Sequence, residues 1–245
     1  MTIALIGYGK MGREIERLAA THGVEIGPVF DLHDNRGAAG ITRASLKGVD
    51  VCIDFTTPAA APVNIAAAAQ AGVNIVVGTT GWYDELPRLR KIVRTRRTAL
   101  LYAPNFSIGM NVFARLVADA AASFDPFAMY DAAIHETHHV GKADSPSGSA
   151  LLLAREVVAN LKRKTEILTT PPKGPIKPRQ LHVSSTRTGA VVGTHEVIFD
   201  SDADSITLIH HAKNRSGFAL GALVAAEWVV GKRGVFTMND VLESL

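Results

Sequence analysis

The chain has 245 residues, 47% of them hydrophobic and 20% charged, with a formal net charge of +3. That length suits one large domain or two small ones, and the balance is ordinary for a globular protein with a sizeable core. It argues against nucleic acid as a partner, which calls for positive charge concentrated on one face, and against the membrane, since no apolar run approaches a span. The single cysteine, Cys52, excludes an internal disulfide and suits a reducing compartment. It lies in the apolar run Val51-Cys52-Ile53 and reads as a buried core thiol rather than a nucleophile. The N-terminus enters a strand at once, with no leader to remove, so the expected location is cytoplasmic.

Thr2-Ile3-Ala4-Leu5-Ile6 is a nearly continuous apolar run, as expected of a buried parallel strand. Gly7-Tyr8-Gly9-Lys10-Met11-Gly12 follows, a G-x-G-x-x-G between that strand and a helix over 11–21 with Ile15, Leu18 and Ala19 on one face. In that context the first glycine makes a tight turn and the second lets backbone approach a pyrophosphate. The third lets helix and strand pack closely, and the helix N-terminus faces the phosphates. Residues 24–30 read as a second strand, weakened by Gly27-Pro28, and Asp31 ends it about 20 residues beyond the loop. An acid there binds both ribose hydroxyls of NADH and repels the 2′-phosphate of NADPH. Lys10, His33 and Arg36 could offset that repulsion, so the reading leans to NADH with dual use open.

A third strand spans 49–55, Thr56-Thr57-Pro58 ends it, and an alanine-rich helix covers 59–71. A fourth strand, 74–78, closes on Thr79-Thr80-Gly81-Trp82, and a helix spans 83–97. Its cations Arg88, Arg90, Lys91, Arg94, Arg96 and Arg97 read as a solvated face and frayed end. A fifth strand, 100–103, leads into Pro104-Asn105-Phe106-Ser107. This alternation predicts a doubly wound parallel sheet, whose ligands bind beyond the carboxyl ends of its strands. Gly78, Thr79 and Thr80 fall there, as do Ala103, Pro104, Asn105 and Phe106; they could line a nicotinamide ribose or be ordinary turns.

The pattern then changes. A helix is expected over 108–122, a strand over 128–136 and a helix over 148–162. Pro171, Pro172, Pro175 and Pro178 mark an extended loop, and strands follow at 181–187, 194–199 and 204–210. Three strands without intervening helices indicate a mixed or antiparallel sheet. An apolar helix over 216–231 should return to cover the first domain. The fold class is therefore α/β: a Rossmann-like parallel-sheet domain, 1–106 and 216–245, plus a smaller α+β domain with a mixed sheet, 107–215.

Chemistry concentrates between residues 134 and 150. His135-Glu136-Thr137-His138-His139 matches H-E-x-x-H, a zinc-protease pattern that works only on a helix. A strand over 128–136 defeats that pairing, so no metal is expected. Ser147, after Pro146, is a natural N-cap for the next helix. The N–H groups of Gly148 and Ser149 would then face a carboxylate. Lys142 brings an ammonium, and His138 and His139 bring groups that titrate near neutrality. A cation and a donatable proton beside developing negative charge suit hydride addition to an unsaturated acid.

The motif Glu136-Thr137-His138-His139-x-x-Lys142-x-Asp144-x-Pro146-Ser147-Gly148-Ser149-Ala150 resembles the signature of the 4-hydroxy-tetrahydrodipicolinate reductase family. Gly7 to Gly12, Asp54-Phe55-Thr56, Val77 to Gly81, Ala103 to Ser107, Arg187-x-Gly189, Gly193-x-His195-x-Val197, Arg215-x-x-Phe218-Ala219-x-Gly221-Ala222 and Phe236 to Leu242 stand in family order. The resemblance implies NADH- or NADPH-dependent reduction of a small cyclic dicarboxylate in diaminopimelate and lysine synthesis. It implies His138 as acid/base residue and Lys142 as proton donor. His139, Gly148 and Ser149, with Ser147 at the helix start, would hold carboxylates. The Gly7 to Gly12 loop, Asp31, Gly78 to Thr80 and Ala103 to Phe106 would contact the cofactor. It also implies a homotetramer built through the second-domain sheets, with the two domains closing over substrate. Three departures stand out: Gly141 where many members have histidine, Ser149 where many have threonine, and a shorter glycine loop. A non-catalytic NAD(P)-binding regulator and another two-domain dehydrogenase acting on an amino or keto acid are the competing readings.

Overall fold

The structure is a computed structural model that describes residues 1–31 and 35–244, so the expectation attached to His33 lies outside the described residues. It divides into two units, Met1–Ile108 with Arg215–Leu245, and Gly109–Asn214. The first half of the first unit runs β1 (Thr2–Ile6), α1 (Lys10–Ala19), β2 (Glu25–Phe30), β3 (Val51–Asp54), α2 (Ala61–Ala71), β4 (Asn74–Val77), α3 (Leu86–Arg96) and β5 (Ala99–Tyr102). Apart from the edge strand β2, the strands are short, largely apolar runs because both faces are covered. In β1, Ile3 and Leu5 enter one core while Ala4 and Ile6 enter the other. Pro28 is tolerated because β2 lies at a sheet edge. Pro62 and Pro87 sit in the first turns of α2 and α3, where a missing N–H costs nothing. α3 buries Leu89 and Val93 and leaves Arg88, Arg90, Lys91, Arg94 and Arg96 exposed, as a solvated face should.

The second unit contains α4 (Ile108–Phe124), β6 (Asp131–His138), α5 (Gly148–Asn160), β7 (Glu166–Leu168), β8 (Gln180–Arg187), β9 (Gly193–Asp200) and β10 (Ser205–Ala212). Its sheet order is β10-β9-β6-β8-β7. β9 is antiparallel to both neighbours, while β6, β8 and β7 are mutually parallel, so the sheet is mixed. Buried residues of α4 and α5 pack on one face, against Ala132, Ile134, Leu181, Val183, Val197 and Phe199. The strand expected at 128–136 starts three residues later and runs two further. Tyr130 N–H donates to Phe127 O in a turn after Pro126, and pairing with β8 carries the strand to His138. β7 escaped the sequence reading because three half-buried residues carry no readable period.

The chain then re-enters the first unit through α6 (Ser216–Val229), β11 (Gly234–Phe236) and α7 (Met238–Glu243), the last two unforeseen. The six strands are parallel in the order β11-β5-β4-β3-β1-β2. α6 buries Ala219, Ala222, Leu223, Ala225, Ala226 and Val229 with Ile3, Leu5, Ile53 and Leu101 on one face. Residues of α2 and α3 close the other. Among the described residues, no helix is long and apolar enough to cross a membrane.

Candidate active site

Two constellations stand out, one in each unit. In the first, the turn after β1 is forced by packing. Gly7 has φ +90°, and a Cβ there would lie 2.4 Å from Phe55 O. A Cβ on Gly12 would lie 2.4 Å from Gly7 O, so α1 touches its own strand loop without a side chain between. Gly12→Ala is expected to push α1 off the loop and cost about 1–3 kcal/mol, read as a lower urea midpoint together with lost dinucleotide affinity. A cavity of about 440 Å³ opens beside this turn, lined by Gly9, Lys10, Met11, Phe55, Thr56, Pro58, Gly78, Thr79 and Thr80. These residues follow β1, β3 and β4 at their carboxyl ends. Gly9, the N-cap of α1, has no side chain to occupy the helix's first N–H groups, and Lys10 adds a cation. A backbone cradle with free donors and a lysine fits the phosphates of a dinucleotide.

Not every expected cofactor residue lines this cavity. Tyr8 donates its hydroxyl to Glu16, and Arg13 lies 5.5 Å from its ring centroid, so the ring lies back along α1. Asp31 is half-buried just after β2. Ala103 and Phe106 are core residues, with the Phe106 ring edge-on to Phe55 at 6.0 Å. Pro104 is exposed, and Asn105 Oδ1 accepts from Ser107 N–H at 2.8 Å. Phe55, Thr56 and Pro58 were not named as site residues; their signal was their place at the carboxyl end of a buried strand.

In the second unit Glu136 is the hub. It is fully buried on β6, on the same face as Ile134 and His138. Its carboxylate accepts from Ser147 N–H at 2.9 Å, from the Ser147 hydroxyl, from Ser185 Oγ at 2.9 Å and from Arg187 Nη2 at 2.9 Å. His138 Nδ1 lies 3.3 Å away without hydrogen-bond geometry, and His195 Nε2 lies 3.5 Å away. Burial pushes the Glu136 carboxyl up, but His195, Ser147 and Arg187 outweigh it and hold it well below the usual carboxylate range. Arg187 Nη2 also donates to Asp144 O at 2.6 Å, and the Asp144 carboxylate pairs with Lys142 Nζ at 2.7 Å. The network therefore reaches from the sheet to the loop ammonium.

Burial first, then the positive fields of His195, Lys142 and Arg187, lower His138 to about 4 against the pull of Glu136. It is neutral at neutral pH. Below about 6.5 the unfolded chain takes a proton that folded His138 refuses, so stability falls with pH down to about 4. His210, lowered mainly by burial, acts in the same direction. His138→Asn should flatten urea-measured stability between pH 6.5 and 4 by up to ~3 kcal/mol.

Ser147 caps α5, accepting from Ala150 N–H at 3.1 Å, as its place in the sequence predicts. Its amide and hydroxyl are both occupied; the exposed Gly148 donates its N–H to the Asp144 carboxylate, and Ser149 follows half-buried in the first turn of α5. His139 is half-buried, and a Cβ on Gly141 would lie 3.5 Å from its Nδ1. The H-E-x-x-H reading fails on geometry, because His135 lies within a strand and bonds Ser184 Oγ at 2.8 Å. Glu136, His138 and His195 do offer ligand atoms within 4.8 Å of one another. Arg187 and two serines already take both carboxylate oxygens, so the cluster is accounted for as an ion-pair network. Glu136, Arg187 and His195 were absent from the expected site list; the cue was a charged residue on the apolar face of an alternating strand.

Comparison with known proteins gives two family matches, "Dihydrodipicolinate reductase, N-terminus" over residues 1–106 and "Dihydrodipicolinate reductase, C-terminus" over 109–242. The 4-hydroxy-tetrahydrodipicolinate reductase of Christiangramia forsetii is 40% identical over 248 residues, covering 100% of this chain and 99% of that one. That of Archaeoglobus fulgidus is 38% identical over 263 residues, covering 99% and 100%. Among solved structures, a dipicolinate-bound dihydrodipicolinate reductase from Paenisporosarcina sp. TG-14 has a TM-score of 0.78 at 24% identity, covering 97% of each chain.

Proposed function

The chain belongs to the dihydrodipicolinate reductase family, and on that premise we propose that it reduces 4-hydroxy-tetrahydrodipicolinate to tetrahydrodipicolinate in diaminopimelate and lysine synthesis. One water leaves the substrate, and one hydride and one proton enter it. The nicotinamide cofactor supplies the hydride; the first unit, through its glycine turn and Lys10, holds the phosphates. In the second unit Lys142 gives the proton, and the start of α5 at Gly148 and Ser149 binds a carboxylate with His139. His138, neutral at working pH, is free to accept a proton as acid/base residue. Ser147 acts by holding α5 on Glu136 rather than by touching substrate. The observation that carries this reading is the continuous Glu136–Arg187–Asp144–Lys142 network beside the start of α5.

Asp31 favours NADH and Lys10 favours NADPH, so both are used with a lean to NADH. The substrate is a small dicarboxylate. The protein is cytoplasmic and forms a homotetramer through the second-unit sheet, whose face opposite α4 and α5 carries His135, Thr137, Ser184 and the largely exposed Ile209. The test is loss of nicotinamide absorbance when aspartate semialdehyde, pyruvate and the synthase generate substrate in place. Synthase-dependent turnover is expected, with NADH and NADPH run in parallel. No turnover from folded, nucleotide-binding protein would overturn the assignment and favour the regulator.

A further inference from the structure

Asp54 closes β3 directly under the cofactor cavity and is fully buried. Its Oδ1 accepts from Thr56 N–H at 3.1 Å, Thr56 Oγ1 at 2.8 Å and Thr79 Oγ1 at 2.8 Å. Its Oδ2 accepts from Asn64 Nδ2 at 2.8 Å. Thr56 and Thr79 both line the cavity, so the carboxylate lies one hydrogen bond behind its wall. Asn64 Oδ1 in turn accepts from Asn35 Nδ2 at 3.3 Å, which ties the same carboxylate to the segment after β2.

Every one of these partners is neutral, and among the described residues no cationic nitrogen forms an ion pair with Asp54. Thr79 Oγ1 accepts from Thr56 N–H at 2.8 Å, so its own proton points at Asp54. Four donors converge on the two oxygens, and Thr56 N–H on Oδ1 and Asn64 Nδ2 on Oδ2 can only donate, a pattern that suits the ionised form. Burial holds its pKa above the ordinary carboxylate value, and the donors from Asn64, Thr79 and Thr56 oppose that push without cancelling it. A buried negative charge without a counter-ion is costly, and residues that keep one beside a cavity point to what enters it.

We propose that Asp54 is a positioning residue for charge: it biases the cavity toward the cationic, oxidised nicotinamide and so favours departure of the hydride. The hydride carries two electrons and one proton away, and the ring left behind gains one positive charge. A fixed carboxylate in a poorly screened wall favours that product over the neutral reduced ring. The inference rests on the reading that this cavity takes a nicotinamide dinucleotide.

The test is binding, without substrate. Kd values for NADH and NAD⁺ are measured by fluorescence and calorimetry on wild type, Asp54→Asn and Asp54→Glu. Asp54→Asn should weaken NAD⁺ about ten-fold relative to NADH, whereas Asp54→Glu, which keeps the charge, should hold the ratio even where both affinities fall. Asp54→Ser, a smaller neutral side chain, serves where the amide does not fold, and retained NADH binding reports folding. Equal weakening of both cofactors in the neutral variants, or an unchanged ratio, would assign Asp54 to structure and overturn the proposal. Wild type that binds neither nucleotide would instead sink the cofactor reading itself.

Discussion

Lys142→Ala is expected to lower kcat by about 10²–10⁴-fold in the coupled assay while leaving the fold intact. Lys142 stands in the loop between β6 and α5, and its side chain is 23% exposed. Its partner Asp144 is 58% exposed, so the pair contributes little to stability and the urea midpoint should move by under about 0.5 kcal/mol. On the proposed role of Lys142 as donor, the effect falls on the proton. Hydride transfer leaves negative charge on the substrate, and Lys142 is the ammonium the network carries to that loop. Lys142→Arg should not rescue, because a guanidinium keeps the charge and does not give up its proton. An alanine variant with full kcat would move the donor role to His138, and pH profiles of the two variants would then separate them.

Glu136→Ala should produce the largest stability loss in the second unit, about 3–5 kcal/mol by urea denaturation. The carboxylate is completely buried and is the shared acceptor for β8 through Ser185 and Arg187, and for α5 through Ser147. Removing it leaves the Arg187 guanidinium, only 18% exposed, without its carboxylate and strips Ser147 N–H of an acceptor. Glu136→Gln keeps the volume and one acceptor oxygen but not the charge, so it should recover part of the stability. It should also drive His138 further down, because the pull of Glu136 is what opposes burial there. Proton NMR of the His138 ring during a pH titration reads that shift directly. Unchanged stability in the alanine variant would mean that water replaces the carboxylate at no cost, against the burial of the site.

Much of this architecture was legible from local rules. Short apolar runs separated by helical periods predicted the parallel sheet, and the glycine spacing placed its turn, because each rests on contacts near in sequence. Ser147 as a cap was legible for the same reason. Glu136 was not. Its partners Ser185, Arg187 and His195 lie some 50 residues away, and only strand pairing brings them to one carboxylate. Phe106 is legible only in part: its place after β5 suggested a ligand wall, and its side chain fills the core, which leaves that role to its backbone. β11 and α7 were hidden because three- and six-residue elements have too few positions to show a period.

The discontinuous first unit has a consequence for the order of biosynthesis. β11 completes the sheet by pairing Gly234 with Ala99, and α6 shares with α1 one of its two covering layers. Both are translated after the second unit. Once residues 1–108 have left the ribosome, one face of their sheet is covered by α1 alone and one edge is open. The second unit, contiguous from Gly109 to Asn214, has its own core available as soon as it emerges. The cofactor half is thus begun first and finished last, so premature termination before residue 216 would release a chain with an exposed apolar sheet, the kind of species that chaperones retain.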